Sequence, residues 1–280
     1  MRNAMTVDVE DWFQVQAFAG VIARDDWDGL DSRVEANTDR ILAQLDRAGV
    51  KATMFTLGWV AERHPRIVRA IVAAGHELAS HGYGHQRVTE LSPAAFRADV
   101  VRAKAVLEDQ AGTAVHGYRA PTFSIGPANA WAWEVLAETG HRYSSSVYPV
   151  RHDLYGTPDA PRLPYRVGGL WELPMTTVTV AGRRLPCSGG GFFRLVPYPI
   201  FRLGLRRFNA EEQAPGLFYI HPWEIDPGQP QVAAASRSAR FRHRVNLAAT
   251  AGRLDRLLAD FTWGRIDDVY APCLLDQVPA

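Results

Sequence analysis

Short apolar runs alternate with longer amphipathic stretches along this chain, and a glycine closes several of them. The run AMTV at residues 4–7 is short and almost wholly apolar, as a strand buried in a parallel sheet would be. In SRVEANTDRILAQLDRAGV, Val34, Ile41, Leu42 and Leu45 recur at helical spacing and Gly49 ends the helix. Residues 52–57 read as a second strand with a turn at Gly58, residues 63–74 as an amphipathic helix closed by Gly75, and residues 76–80 as a short strand. Ser92 is placed to cap a helix over 93–110. Residues 115–118 form a fourth strand ending in the tripeptide RAP, residues 131–140 a helix and residues 143–148 another extended segment. Strands alternating with helices across short turns predict parallel βαβ units, an α/β fold whose site lies at the carboxyl ends of the strands. PDAPRLPYRVGG and IDPGQPQVAAASRS are loops, and the second divides residues 1–230 from a C-terminal extension, 231–280. A helix over 244–261 is expected to dock that extension on the same domain through Leu247, Leu254, Leu257 and Leu258.

With 280 residues and 47% hydrophobic content, the chain can bury a large core. Lys+Arg number 31 against 30 Asp+Glu, so no overall basic character argues for nucleic acid or for an anionic membrane surface. No apolar run approaches the roughly 18 residues of a membrane span. The first residues run straight into the first strand and do not read as a signal peptide, so a soluble cytoplasmic protein is expected, with export through a partner left open. Cys187 and Cys273 lie far apart without ligand spacing and are expected to be core thiols rather than a disulfide.

The chemistry concentrates in two places. TVDVEDWF puts Asp8, Glu10 and Asp11 at the end of the first strand, where three acids repel one another unless a cation sits among them. The bland alternative is a solvated acidic turn, although Trp12 and Phe13 follow at once and imply burial. Downstream, HGYGH spaces His81 and His85 four residues apart, a spacing that on one helical turn lets two imidazoles close on a single ion.

The ordered motifs TVDVED, HGYGH, GYRAPTFSI, YSSSVYP and FYIHPWEID resemble the polysaccharide deacetylases with a NodB-type homology domain. More narrowly, they are similar to the branch associated with exopolysaccharide and exosortase loci. The resemblance covers residues 5–226 and implies a distorted (β/α) barrel of seven strands, with residues 1–230 as the catalytic domain. It makes Asp8 the general base, Arg119 its orienting partner, His221 the acid that protonates the departing amine, and His81 and His85 metal ligands. The family pattern has two adjacent aspartates where this chain has Asp8 and Val9, so the third ligand falls to Glu10 or Asp11; strand alternation favours Glu10 and a turn would allow Asp11. The fourth motif also departs, since the family's aspartate before the serines is Ser144 here. Phe123, Trp171, Trp223 and Tyr118 are expected to line the sugar groove, against the ordinary alternative that they are core aromatics.

The resemblance implies hydrolysis of N-acetyl groups on amino sugars of an exopolysaccharide or its precursor. The divalent ion is expected to be zinc, with cobalt, nickel or iron acceptable to the same ligands. Three rivals remain: another C–N hydrolase on this fold (allantoinase-like, or a deformylase of lipid-linked sugars), a non-catalytic polysaccharide-binding protein, and a partner within an exopolysaccharide assembly complex.

Overall fold

The computed structural model describes residues 1–275. The first apolar run becomes β1 (Arg2–Val9), followed by α1 (Val34–Arg47), β2 (Thr53–Thr56), α2 (Gly58–Arg63), α3 (Pro65–Ala73) and β3 (Glu77–Ser80). The alternation continues with α4 (Pro93–Ala111), β4 (Gly117–Tyr118), α5 (Trp131–Glu138), β5 (Tyr143–Ser144), β6 (Tyr165–Val167) and β7 (Leu170–Glu172). A hairpin, β8 (Thr177–Val180) with β9 (Arg183–Pro186), precedes α6 (Gly190–Leu195), α7 (Tyr198–Glu212) and β10 (Leu217–Ile220). The chain ends with α8 (Arg237–Arg244), α9 (Leu247–Asp260), β11 (Thr262–Gly264), α10 (Ile266–Val269) and α11 (Ala271–Leu274).

Seven strands lie parallel in the order β10–β1–β2–β3–β4–β5–β7, with β6 antiparallel on β7 and β11 parallel beside the start of β1. Between β7 and β10 no regular ladder forms. The ring is drawn together there by Leu217 N–H donating to Thr176 Oγ1 (2.6 Å) and Tyr219 N–H to the Ser188 carbonyl (2.7 Å). The architecture is the distorted (β/α) barrel of seven strands. Alternation along β1 sorts its side chains: Met5, Val7 and Val9 join the core shared with the helices, whereas Thr6 and Asp8 reach the buried arginine inside the ring. Helix α9 buries Leu247, Leu254, Leu257 and Leu258. Among the described residues, no helix is long and apolar enough to cross a membrane.

The structure departs from the sequence reading where local backbone rules interrupt a periodic pattern. The helix expected over 63–74 forms as α3 and starts at Pro65, because His64 (φ −127°, ψ 59°) precedes a proline, which disfavours a helical residue before it. The helix expected over 244–261 starts only after Asn246, whose φ of 55° is left-handed. The strand over 143–148 shortens to β5, since the serines beyond it turn their polar groups to the neighbouring loop.

Candidate active site

The carboxyl end of β1 delivers Asp8 and Glu10 into the ring, both almost wholly buried. Asp11, the other ligand suggested by sequence, goes elsewhere. Its Oδ2 accepts from Ser32 Oγ (2.7 Å) and the Arg33 and Val34 backbone N–H groups (2.9 and 3.2 Å), and its Oδ1 from Trp12 N–H (2.8 Å). The donors to Oδ2 belong to the N-terminal end of α1, where a carboxylate is favoured, so Asp11 fixes that helix.

His81 and His85 do not share a helical turn. They sit on a loop after β3 in which Gly82 (φ 75°) and His85 (φ 51°) are left-handed. The loop is clamped from both sides: Asp99 on α4 accepts from the Tyr83 and Gly84 N–H groups (2.9 and 3.3 Å), and the first N–H groups of α2 donate to the Gly82 and Tyr83 carbonyls (2.9 and 3.0 Å). His81 Nδ1 lies 2.8 Å from the Arg119 carbonyl, which makes it the N–H and turns the Nε2 lone pair towards the site. Burial lowers the His81 pKa to about 4, keeping the ring neutral, as a ligand must be.

Arg119, at the end of β4, is wholly buried and spends its donors on the ring interior. Nη1 donates to Asp8 Oδ1 (2.6 Å) and Thr6 Oγ1 (2.8 Å), while Nε and Nη2 donate to the carbonyl and hydroxyl of Ser145 (3.1 Å each). The serine motif thus positions the arginine, and Glu172 positions the serines by accepting from Ser146 and Val147 N–H (2.7 and 2.9 Å). Asp8 keeps Oδ2 for the site.

His221 follows β10 and faces the acids from the opposite side, with Nε2 3.9 Å from Asp8 Oδ2 and 3.6 Å from Glu10 Oε1. Its Nδ1 lies 3.0 Å from Glu224 Oε2, whose other oxygen accepts from Arg194 Nε (2.7 Å). Burial disfavours the imidazolium, but Glu10, Glu224 and Asp8 together outweigh burial and hold the His221 pKa up at about 9. Burial likewise opposes ionisation of Glu224, yet Arg194 and His221 bring it down to about 2. Neither Glu224 nor Arg194 stood out in the sequence as a positioning group. The available signal was the HPWE tetrapeptide, where a carboxylate three residues after a histidine can fold back on it across a 3₁₀ turn, Pro222–Ile225. Trp223 packs flat on His221 at 5.2 Å and donates its indole N–H to Glu10 Oε1 (3.1 Å).

Glu10, His81 and His85 offer ligand atoms that all lie within 4.8 Å of one another. Glu10 Oε2 is buried without a hydrogen bond although His85 Nε2 is 2.8 Å away, so the two atoms converge without an N–H aligned between them. A buried anionic oxygen left in that state, beside two imidazoles, fits a divalent cation. Asp8, His221, Phe123 and Trp223 are among the residues that line the same chamber, about 130 Å³ in volume, with Tyr155 and Tyr219. Two expected groove residues are elsewhere. Tyr118 is core, packed against Phe96 and His141 (5.8 Å each), and Trp171 lies on β7 beneath Arg166 (5.0 Å). The outward parity of those two strand positions explains both, since a neighbour in sequence points to the opposite face.

Residues 25–144 match the polysaccharide deacetylase family, and residues 145–271 match a domain of unknown function, DUF3473. The peptidoglycan-N-acetylglucosamine deacetylase of Bacillus cereus is 34% identical over 84 residues, 30% of this chain and 30% of that protein. The chitooligosaccharide deacetylase of a Bradyrhizobium species is 27% identical over 111 residues, 40% of this chain and 48% of that protein. The chain therefore spans less than half the length of these curated relatives. Among solved structures, a Mycobacterium smegmatis protein assigned to the polysaccharide deacetylases superposes with a TM-score of 0.63 at 20% identity, covering 99% of this chain and 91% of that one. Puue allantoinase gives 0.59 at 19% identity, covering 96% and 89%. At such identities the structural likeness is one of fold. The sequence matches go further: this chain carries a polysaccharide deacetylase segment, residues 25–144, that runs directly into the DUF3473 segment carrying His221 and Glu224.

Proposed function

We propose that the protein is a metal-dependent hydrolase that removes N-acetyl groups from amino sugars of a polysaccharide, in an exopolysaccharide or its precursor. The observation that carries this reading is the convergence of Asp8 and His221, fit to act as base and acid, beside the Glu10–His81–His85 cluster in one chamber. Those three residues would hold the cation, with zinc the best match to two imidazoles and a carboxylate, and when bound it would acidify water and polarise the acyl oxygen. Asp8 Oδ2 accepts the proton of the attacking water, because Arg119 occupies Oδ1 and holds the carboxylate in one orientation. His221 Nε2 then donates to the amine nitrogen as the C–N bond breaks, with Glu224 fixing its ring through Nδ1. Trp223 and Phe123 keep bulk water from the chamber.

The reading is tested by supplying zinc to the purified protein and assaying acetate released from N-acetylglucosamine oligomers. Acetate should form, disappear on chelation and return on metal readdition. Turnover of a cyclic ureide with no acetate from any acetylated sugar would replace this reading with an allantoinase-like one.

A further inference from the structure

The catalytic chamber does not end at His221. Tyr155, Tyr219, His221 and Trp223 also line a second cleft of about 540 Å³, within the roughly 300–1,000 Å³ usual for small-ligand sites. Its outer walls come from the loop holding Arg151–Tyr155, from Phe192 on α6 and from α8, all within the DUF3473 segment.

The outer walls combine aromatic faces with unbalanced positive charge. Tyr155 and Phe192 both contact the His152 ring, and Phe241 is 60% exposed at the rim, so flat apolar surfaces suited to sugar rings stand open. Helix α8, RSARFRHR, holds four arginines and no acid. Arg242 lines the cleft, and Arg237, Arg240 and Arg244 line the adjoining surface on the far side of Phe241. Arg151 stands exposed on the opposing loop. One acid answers them: Asp153 pairs with Arg242 at 2.8 Å, but both side chains are at least half exposed, where such pairs are weak and readily exchanged for another anion. The inner pair Arg194–Glu224 is buried and serves His221. Over the whole chain the charges nearly cancel, 31 against 30, so this concentration is a local feature that the overall balance conceals.

We propose that this cleft binds an anionic group of the saccharide through Arg151 and Arg242, so that the substrate is an acidic amino-sugar chain rather than a neutral one. The inference rests on the deacetylase reading and specifies its substrate. The recognised group is a cluster of anionic oxygens, supplied either by a carboxylate on a neighbouring sugar or by a phosphate ester at the reducing end.

The zinc-loaded protein is assayed on chitotetraose (neutral), on heparosan tetrasaccharide (alternating glucuronate and N-acetylglucosamine) and on UDP-N-acetylglucosamine, and binding of each is measured by calorimetry. At least one anionic ligand should exceed chitotetraose by about tenfold or more in kcat/KM and in affinity, with a preference that shrinks at about 0.5 M salt. The ligand that shows the preference identifies carboxylate or phosphate as the source. The double variant Arg151→Gln, Arg242→Gln should bring the ratio close to unity. Equal binding of all three by the wild type, or a ratio unchanged in the double variant, would overturn the inference. So would arginine-dependent binding to phosphatidylglycerol vesicles without any saccharide preference, which would assign the basic helix to a membrane. If acetate is released from chitotetraose without a preference for acidic ligands, the deacetylase reading stands and this inference fails. If no substrate is hydrolysed, the deacetylase reading fails and the calorimetric ratio still decides the ligand class.

Discussion

Asn in place of Asp8 is expected to lower turnover by about 10²–10⁴-fold, or about 2.7–5.4 kcal/mol of barrier, while leaving metal content close to wild type and lowering stability, since the buried Arg119 charge loses its counter-ion. An amide is nearly isosteric with the carboxylate and its carbonyl oxygen can still accept from Arg119, so the buried hydrogen bond at 2.6 Å has a replacement. What the amide cannot do is take a proton from water. The neighbouring ligands Glu10, His81 and His85 keep their own partners, since none depends on a hydrogen bond from Asp8. Parallel assays of acetate release, elemental content and urea denaturation separate the three quantities. A variant that keeps more than about a tenth of wild-type turnover would remove Asp8 from the base role.

The largest stability effect is expected at Arg119. Its guanidinium is wholly buried, pairs with Asp8, donates to Thr6 and Ser145, and lies over the Phe55 ring at 4.1 Å. Arg119→Leu removes one partner of a buried ion pair and leaves Asp8 charged and unpaired, a change that costs about 3–5 kcal/mol. That is a large fraction of the roughly 5–15 kcal/mol stabilising an ordinary domain. Pairing it with Asp8→Leu removes the stranded charge, so the double variant should recover more than about 1 kcal/mol relative to Arg119→Leu alone. Denaturant midpoints of the two single variants and the double variant measure this. An additive result would mean that Asp8 and Arg119 are not coupled. Acetate release should be lost in every one of these variants, because Arg119 also fixes the orientation of Asp8.

The barrel was legible because its signals are local and periodic: apolar runs of strand length, helices with one apolar face, and glycines between them. The errors fall where one residue's backbone preference or a distant partner overrides period. Pro65 and Asn246 delay the starts of two expected helices, and the His81–His85 spacing suits a helical turn equally well on paper. Nothing near that pair reveals that Asp99, on the next helix, and the start of α2 hold the segment as a loop. Between Glu10 and Asp11, strand alternation along the chain favoured Glu10 without excluding Asp11. The exclusion depends on Ser32 and on the backbone of Arg33 and Val34, which occupy Asp11 once α1 is in place. Arg194 escaped for the same reason, since it reaches Glu224 from far upstream in sequence, whereas Glu224 lay within the HPWE tetrapeptide and went unread. Tyr118 and Trp171 show the limit of reading aromatics by motif proximity, as each sits beside a site residue in sequence and on the other side of a strand in space.

The proposed hydrolysis requires a cation held by Glu10, His81 and His85, and elemental analysis of the purified protein beside Glu10→Ala, His85→Ala and Asp11→Asn tests that directly. The predicted result is about one divalent ion per chain in the wild type and in Asp11→Asn, with loss from the other two. Metal retained at the wild-type level in Glu10→Ala and His85→Ala, or lost from Asp11→Asn while the other two keep it, would contradict the assignment.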